Sequence, residues 1–242
     1  MSGKEVRLPS GVRSAYENFL EAFRDAVEVA GGQITFPDVP LPSCFTLSGN
    51  GMSVAFSRCL YVKHLPCRKL SGSKRLDVVV KAVEEITRDS WSLTKSTVYL
   101  NYFVVAKDSA LLAQSLHFDF VEGGQPGHPF FHLQLTDEPI PQDDLEKTGF
   151  NLHLELPDQP NECWVTTRLP TPDMTLASVL YCLVADHFAN FFGPFAERVQ
   201  SIQEQLPQPS FEALKESLQD SSLHFKSSHW FAHLREPTQH PG

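Results

Sequence analysis

The sequence predicts an α+β fold: a largely antiparallel sheet with an N-terminal helix and a C-terminal helical segment packed on it. Three observations carry this expectation. Apolar residues repeat at helical spacing near the N-terminus, alternate with period two through the middle of the chain, and return to helical spacing in the last third.

The first helix follows Ser10, which can cap it. Val12, Tyr16, Phe19, Leu20, Phe23, Val27 and Ala30 share one stripe, and Gly31 with Gly32 ends it. Residues 37–50, with Pro37, Pro40 and Pro42 ahead of Gly49 and Asn50, read as a loop ending in a turn. From Met52 to Val62, Val54, Phe56, Leu60 and Val62 alternate with Ser53, Ser57 and Cys59, the mark of a strand. Residues 71–75 break it. Leu76 to Ile86 suits a helix by spacing, but the run Val78, Val79, Val80 tilts the reading to a strand. Val98 to Val105 is apolar on both faces, as in a strand at the middle of a sheet.

Three later segments share one pattern: Leu116, Phe118 and Phe120; Phe131, Leu133 and Leu135; Phe150, Leu152, Leu154 and Leu156. Each alternates with polar residues and reads as a half-buried antiparallel strand. Glu122 to Pro129 and Asp137 to Gly149 read as turn-rich loops between them. Beyond Arg168-Leu169-Pro170-Thr171-Pro172, either Thr171 or Asp173 can open a helix through Leu176, Val179, Leu180, Leu183, Val184, His187, Phe188 and Phe191. Gly193-Pro194 is expected to end it before a second helix over about Phe195 to Leu206. A short helix from Ser210 to Leu218 and a last one within 223–234 are expected to follow. The 242 residues read as one domain, with helix and sheet in 1–168, C-terminal helices in 169–236 and a tail at 237–242.

Lys and Arg number 20 against 29 Asp and Glu, a net charge of −9, which argues against nucleic-acid binding by the surface as a whole. Met1 to Leu8 holds no apolar run and no stretch approaches the ~18 consecutive apolar residues of a membrane span. A cytoplasmic protein with no membrane partner is the expectation. Cys44, Cys59, Cys67, Cys163 and Cys182 are an odd, scattered set and make no disulfide framework. Cys59, His64 and Cys67 lack zinc-finger spacing.

The middle strands carry the candidate chemistry. His117-Phe118-Asp119, His132-Leu133-Gln134 and His153-Leu154-Glu155 each put a His and a carboxylate or amide two positions apart, on one face of a strand. With the strands adjacent and in register, His117, Asp119, His132, His153 and Glu155 would line one polar surface, with His128 in reach. That surface could bind a divalent metal or a phosphate, or supply an acid and a base for hydrolysis. The alternative is that these are the solvated faces of half-buried strands.

Residues 52–75 hold Arg58, Lys63, Arg68, Lys69, Lys74 and Arg75 and no acid, which marks them as the place for an anionic partner, nucleic acid included. Their charges can instead be balanced, on the same molecule or on a partner, by residues 137–162, where eight acids face Lys147 alone. His229 and His233 stand one helical turn apart beside Trp230, a spacing that fits an amphipathic packing helix better than a zinc site. No glycine-rich phosphate loop and no serine-nucleophile motif is present in the sequence.

His-Phe-Asp-Phe at 117–120, His-Pro-Phe-Phe-His-Leu-Gln-Leu at 128–135 and Arg-Leu-Pro-Thr-Pro-Asp-Met at 168–174 ahead of a long helix give the chain its one resemblance. In these elements it resembles poorly characterised prokaryotic proteins met near toxin–antitoxin and phage-defence genes. The His-rich block is also similar in texture to one small toxin family, though the lengths differ. The resemblance implies an interaction or accessory subunit of such a complex, with a protein partner. The alternative, drawn from the histidines, is a nuclease or other phosphodiesterase.

Overall fold

The computed structural model describes residues 6, 8–48, 51–67, 70, 72–122, 131–136, 139–156 and 174–209. Helix α1 spans Ser10–Val29 and buries Tyr16, Phe19, Leu20, Phe23 and Val27, the predicted stripe. Ser10 is its first residue rather than its cap. Pro9 takes the cap position, and its carbonyl accepts from Val12 and Arg13. At the far end Gly31 is left-handed at φ +85°, and the Gly32 N–H closes onto the Val27 carbonyl at 2.9 Å.

The strands are β1 (Gln33–Thr35), β2 (Phe45–Ser48), β3 (Ser53–Leu65), β4 (Arg75–Thr87), β5 (Leu93–Ala106), β6 (Ser109–Val121), β7 (Phe131–Thr136) and β8 (His153–Glu155). The four long strands β3, β4, β5 and β6 form an antiparallel meander. Short strands complete each side: β1 and β2 share the outer edge of β3, and β7 and β8 share that of β6. The sheet is open and antiparallel apart from β8, which runs parallel to β6.

Both faces of this sheet are loaded, and that explains the apolar runs. Val54, Phe56, Val78, Val80, Val98, Leu100, Leu116 and Phe118 point to one face and pack against α1, α3 (Leu176–His187) and α4 (Phe192–Gln203). Tyr61, Val79, Phe103, Val105 and Leu112 point to the other and pack under Ile140, Leu145 and Phe150. The Val78–Val80 run belongs to a strand covered on both sides, so helix-like spacing there is incidental.

Three expectations need correction. The 139–149 segment is not all loop: Gln142–Lys147 forms helix α2, opened by Pro141, with Asp143 and Asp144 in its first turn and Lys147 in its last. The 37–50 segment includes a 3₁₀ turn at Leu41–Cys44 and strand β2. The third predicted antiparallel strand shrinks to the three residues of β8 and pairs parallel to β6, because Phe150 is already committed to the core over α2.

The C-terminal helix also divides earlier than its text implies. Thr175 caps α3 by accepting from the Ser178 N–H, and α3 stops at His187, before a 3₁₀ turn at Ala189–Phe191. Gly193 and Pro194 lie inside the first turn of α4, where a missing N–H costs no bond. No single helix among the described residues is long and apolar enough to cross a membrane. Cys163, Arg168, Thr171, Asp173, the predicted helices from Ser210 onward with His229, Trp230 and His233, and the 237–242 tail lie outside the described residues.

Candidate functional site on the second sheet face

Strand register aligns two rows of positions across the sheet, on the face opposite α1. One runs Cys59, Lys81, Tyr99, His117 and Gln134 over β3 to β7; the next runs Ser57, Val83, Thr97, Asp119 and His132. Each row comes from five segments far apart in the chain, and only hydrogen-bond register aligns them.

The chemistry concentrates at β5 and β6. His117 Nε2 lies 2.8 Å from Asp119 Oδ2, the i, i+2 neighbours that a strand puts on one face. Both side chains are mostly buried, at 19% and 13% exposure, which strengthens their attraction whenever the imidazole is protonated. Tyr99 stacks on the imidazole, ring centres 4.6 Å apart and planes 13° from parallel. Asp119 thus faces one ring nitrogen and Tyr99 lies along the ring plane, a setting in which an imidazole can exchange a proton.

The row's other end is electrostatically closed. Lys81 Nζ meets Asp144 Oδ2 at 2.7 Å, and Lys147 Nζ meets Oδ1 at 2.8 Å. These bonds, Lys147 first and Lys81 next, hold the Asp144 carboxyl below the usual range. Burial, with the Asp144 charge behind it, pushes the Cys59 thiol up to about 11, so thiolate chemistry is absent there near neutrality.

The five predicted site residues divide. His117 and Asp119 form the dyad, and His132 stands opposite Asp119 in the β6–β7 register. His153 pairs with Ser109 and Glu155 with Leu111, at the other end of β6. Eight positions of strand between Ser109 and His117 amount to roughly 25 Å. Leu154, between them, packs on the core over α2, so the exposed His153 and Glu155 point to the opposite side of the sheet from the dyad. A surface joining all three imidazoles is not formed. Among the described residues no group of three or more His, Cys, Asp and Glu could hold a metal ion, and His128 lies outside them.

No family model, curated protein or solved structure matches the chain.

The basic segment is likewise put to several uses. Arg58 donates to the Val39 carbonyl at 2.7 Å and to Cys44 Sγ, and its guanidinium stands 5.3 Å from the Phe36 ring centre. Lys63 lies 4.9 Å over the Tyr61 ring. Arg75 Nε donates to both oxygens of the fully buried Asp77, which also accepts from Tyr61 and from the His64 N–H. Lys74 is exposed, while Arg68 and Lys69 lie outside the described residues. Of the acids in 137–162, Asp144 meets Lys81 and Lys147 rather than the 52–75 cations. Tyr99, Lys81 and Thr97 escaped sequence reasoning. Tyr99 was legible only as strand core, and Lys81 finds Asp144 across 63 positions of chain.

Proposed function

We propose that the chain is a binding subunit that assembles with another protein through the half of the second sheet face beyond α2. The observation behind this reading is how that half-face is built. Ser53, Ala55, Ser57 and Val83 are short and at least partly accessible, and Glu85 and Lys95 stand opposite each other in register beside them. A sheet surface of small side chains with mixed charge suits a protein partner better than a small ligand, which needs a concave site. The resemblance in 117–135 and 168–174 supplies the kind of assembly, a prokaryotic defence or toxin–antitoxin complex. Co-expression with the products of neighbouring genes, followed by size-exclusion chromatography with light scattering, tests it. A complex that Val83→Arg abolishes supports the reading; a lone monomer in every combination removes it.

A second reading rests on the 2.8 Å approach of His117 Nε2 to Asp119 Oδ2. In it the dyad serves a phosphodiesterase, with His117 as base and His132, opposite Asp119 in register, as acid. His153 and Glu155 take no part. Activity on RNA or DNA lost in His117→Ala and kept in His153→Ala supports it, and equal effects of the two variants reject it.

A further inference from the structure

We propose that His187 is a proton-operated latch holding the C-terminal end of α3 against the end of β3. His187 closes α3, and its Nδ1 lies 3.3 Å from the carbonyl oxygen of Pro66, the residue that follows β3. A carbonyl only accepts, so Nδ1 carries the hydrogen and Nε2 keeps the lone pair. That Nε2 is closed off from solvent and has no hydrogen-bond partner among the described residues. The ring is also walled by Tyr102 of β5, 5.7 Å away and tilted by 42°.

This geometry accepts one protonation state. A proton on Nε2 would create a charged donor that is shut off from solvent and has no acceptor among the described residues, a costly arrangement in a low-dielectric setting. Burial accordingly lowers the His187 pKa below its ordinary value, with the Pro66 carbonyl and Asp186 pulling the other way. The titratable groups next to it are Asp186 on its own helix and the Tyr102 phenol from β5, while in sequence Cys67 follows Pro66 and His64 stands two residues before it.

The direction follows from that depression. Above pH ~6.5 the imidazole is neutral whether the latch is closed or open, and the closed form keeps its full advantage. As pH falls below that value the open form takes up the proton first, so the advantage shrinks until the closed-state pKa is reached. Each pH unit inside that window raises the open population by up to about tenfold. What opens is the last turn of α3, closed by the Phe188 N–H on the Val184 carbonyl at 2.8 Å, with Phe188 itself buried.

Hydrogen exchange on the full chain at pH 7.5 and 5.5, corrected for intrinsic rates, tests the latch. In the wild type, protection over 184–188 and 60–67 should fall by up to about tenfold at the lower pH, while His187→Phe should show no such loss. Equal pH dependence in both proteins overturns the proposal. A ¹³C NMR titration of the His187 ring in the wild type needs no variant. A midpoint below the ordinary imidazole value, coupled to shifts at Pro66 and Cys67, supports the latch; an ordinary midpoint overturns it even if His187→Phe fails to fold.

Discussion

The hydroxyl of Tyr16 on α1 donates to Glu84 on β4 at 2.6 Å, in the middle of the helix-covered core. The other oxygen of this buried carboxylate accepts from the Leu176 N–H, at the first turn of α3, at 2.8 Å and from Ser96 at 3.3 Å. One side chain thereby ties α1, α3 and two strands together, and its charge faces the positive end of α3. Burial, reinforced by Glu84, pushes the Tyr16 phenol well above its usual value, so the phenol keeps its proton and remains a donor. Tyr16→Phe should cost about 1–2 kcal/mol, the loss of one hydrogen bond to a charged group. Glu84→Ala should cost about 3 kcal/mol or more, since it strands the Tyr16 hydroxyl and the Leu176 N–H and opens a cavity, while Ser96 keeps the Met174 carbonyl at 3.2 Å. Urea denaturation of both variants checks the order; equal costs would mean that the Leu176 contact and the lost volume add nothing to the Tyr16 bond.

Cys59 offers a test of the electrostatics on the opposite face. Its thiol stands at about 11 because it is buried and sits near Asp144. Alkylation mapped by mass spectrometry should find Cys59 nearly unreactive at pH 8, where the half-buried Cys67 and Cys182 react. Asp144→Asn removes the second cause and leaves Lys81 and Lys147 without their carboxylate, so the Cys59 rate at a fixed pH should rise. A rate unchanged by Asp144→Asn would mean that burial alone sets the thiol.

Phe150 closes the smaller core, in contact with the rings of Tyr61 at 5.4 Å and Phe103 at 4.8 Å between centres. That core is one segment thick, so its contents cannot be shared with the helices on the other face. Phe150→Ala should cost about 3–5 kcal/mol and loosen α2 and β8 together. Thermal unfolding gives the size of the loss, and hydrogen exchange over 139–156 shows whether it is local.

The same residue shows where sequence patterns stop informing. Alternation in Phe150, Leu152 and Leu154 is real, and all three pack on the core over α2, but period two reports a buried face and not a strand partner. Two-sided apolarity placed β5 at the centre of the sheet because nothing else needs it. Helix α1 was legible because its stripe and its terminal glycines agree. Helix α2 had its signals, Pro141 with Asp143 and Asp144, but six residues are too few for a periodicity. The site was half legible for the same reason. His117 and Asp119 belong to one strand, so period two alone joins them. Whether His153 joins them depends on register between β6 and β8, which is set by the whole path of the chain over α2.

Arg75 separates the two meanings of a basic cluster. Within 52–75 it looks like a ligand for anions, yet it pairs at 3.0 Å with Asp77, a carboxylate with no exposed surface. Burial, with the bond to Asp77 behind it, raises the Tyr61 phenol above its usual value, so that phenol too remains a proton donor to the carboxylate. Removing Arg75 leaves a buried charge with two neutral donors, the Tyr61 hydroxyl and the His64 N–H. Arg75→Ala should therefore cost about 2–3 kcal/mol of stability. The exposed Lys74, one position away, should cost less than about 0.5 kcal/mol on replacement by Ala. If the cluster served an anionic partner through both residues, the two variants would weaken binding alike and leave stability alike. Denaturation midpoints that differ in the stated direction assign Arg75 to the frame of the sheet, and equal midpoints return it to the surface.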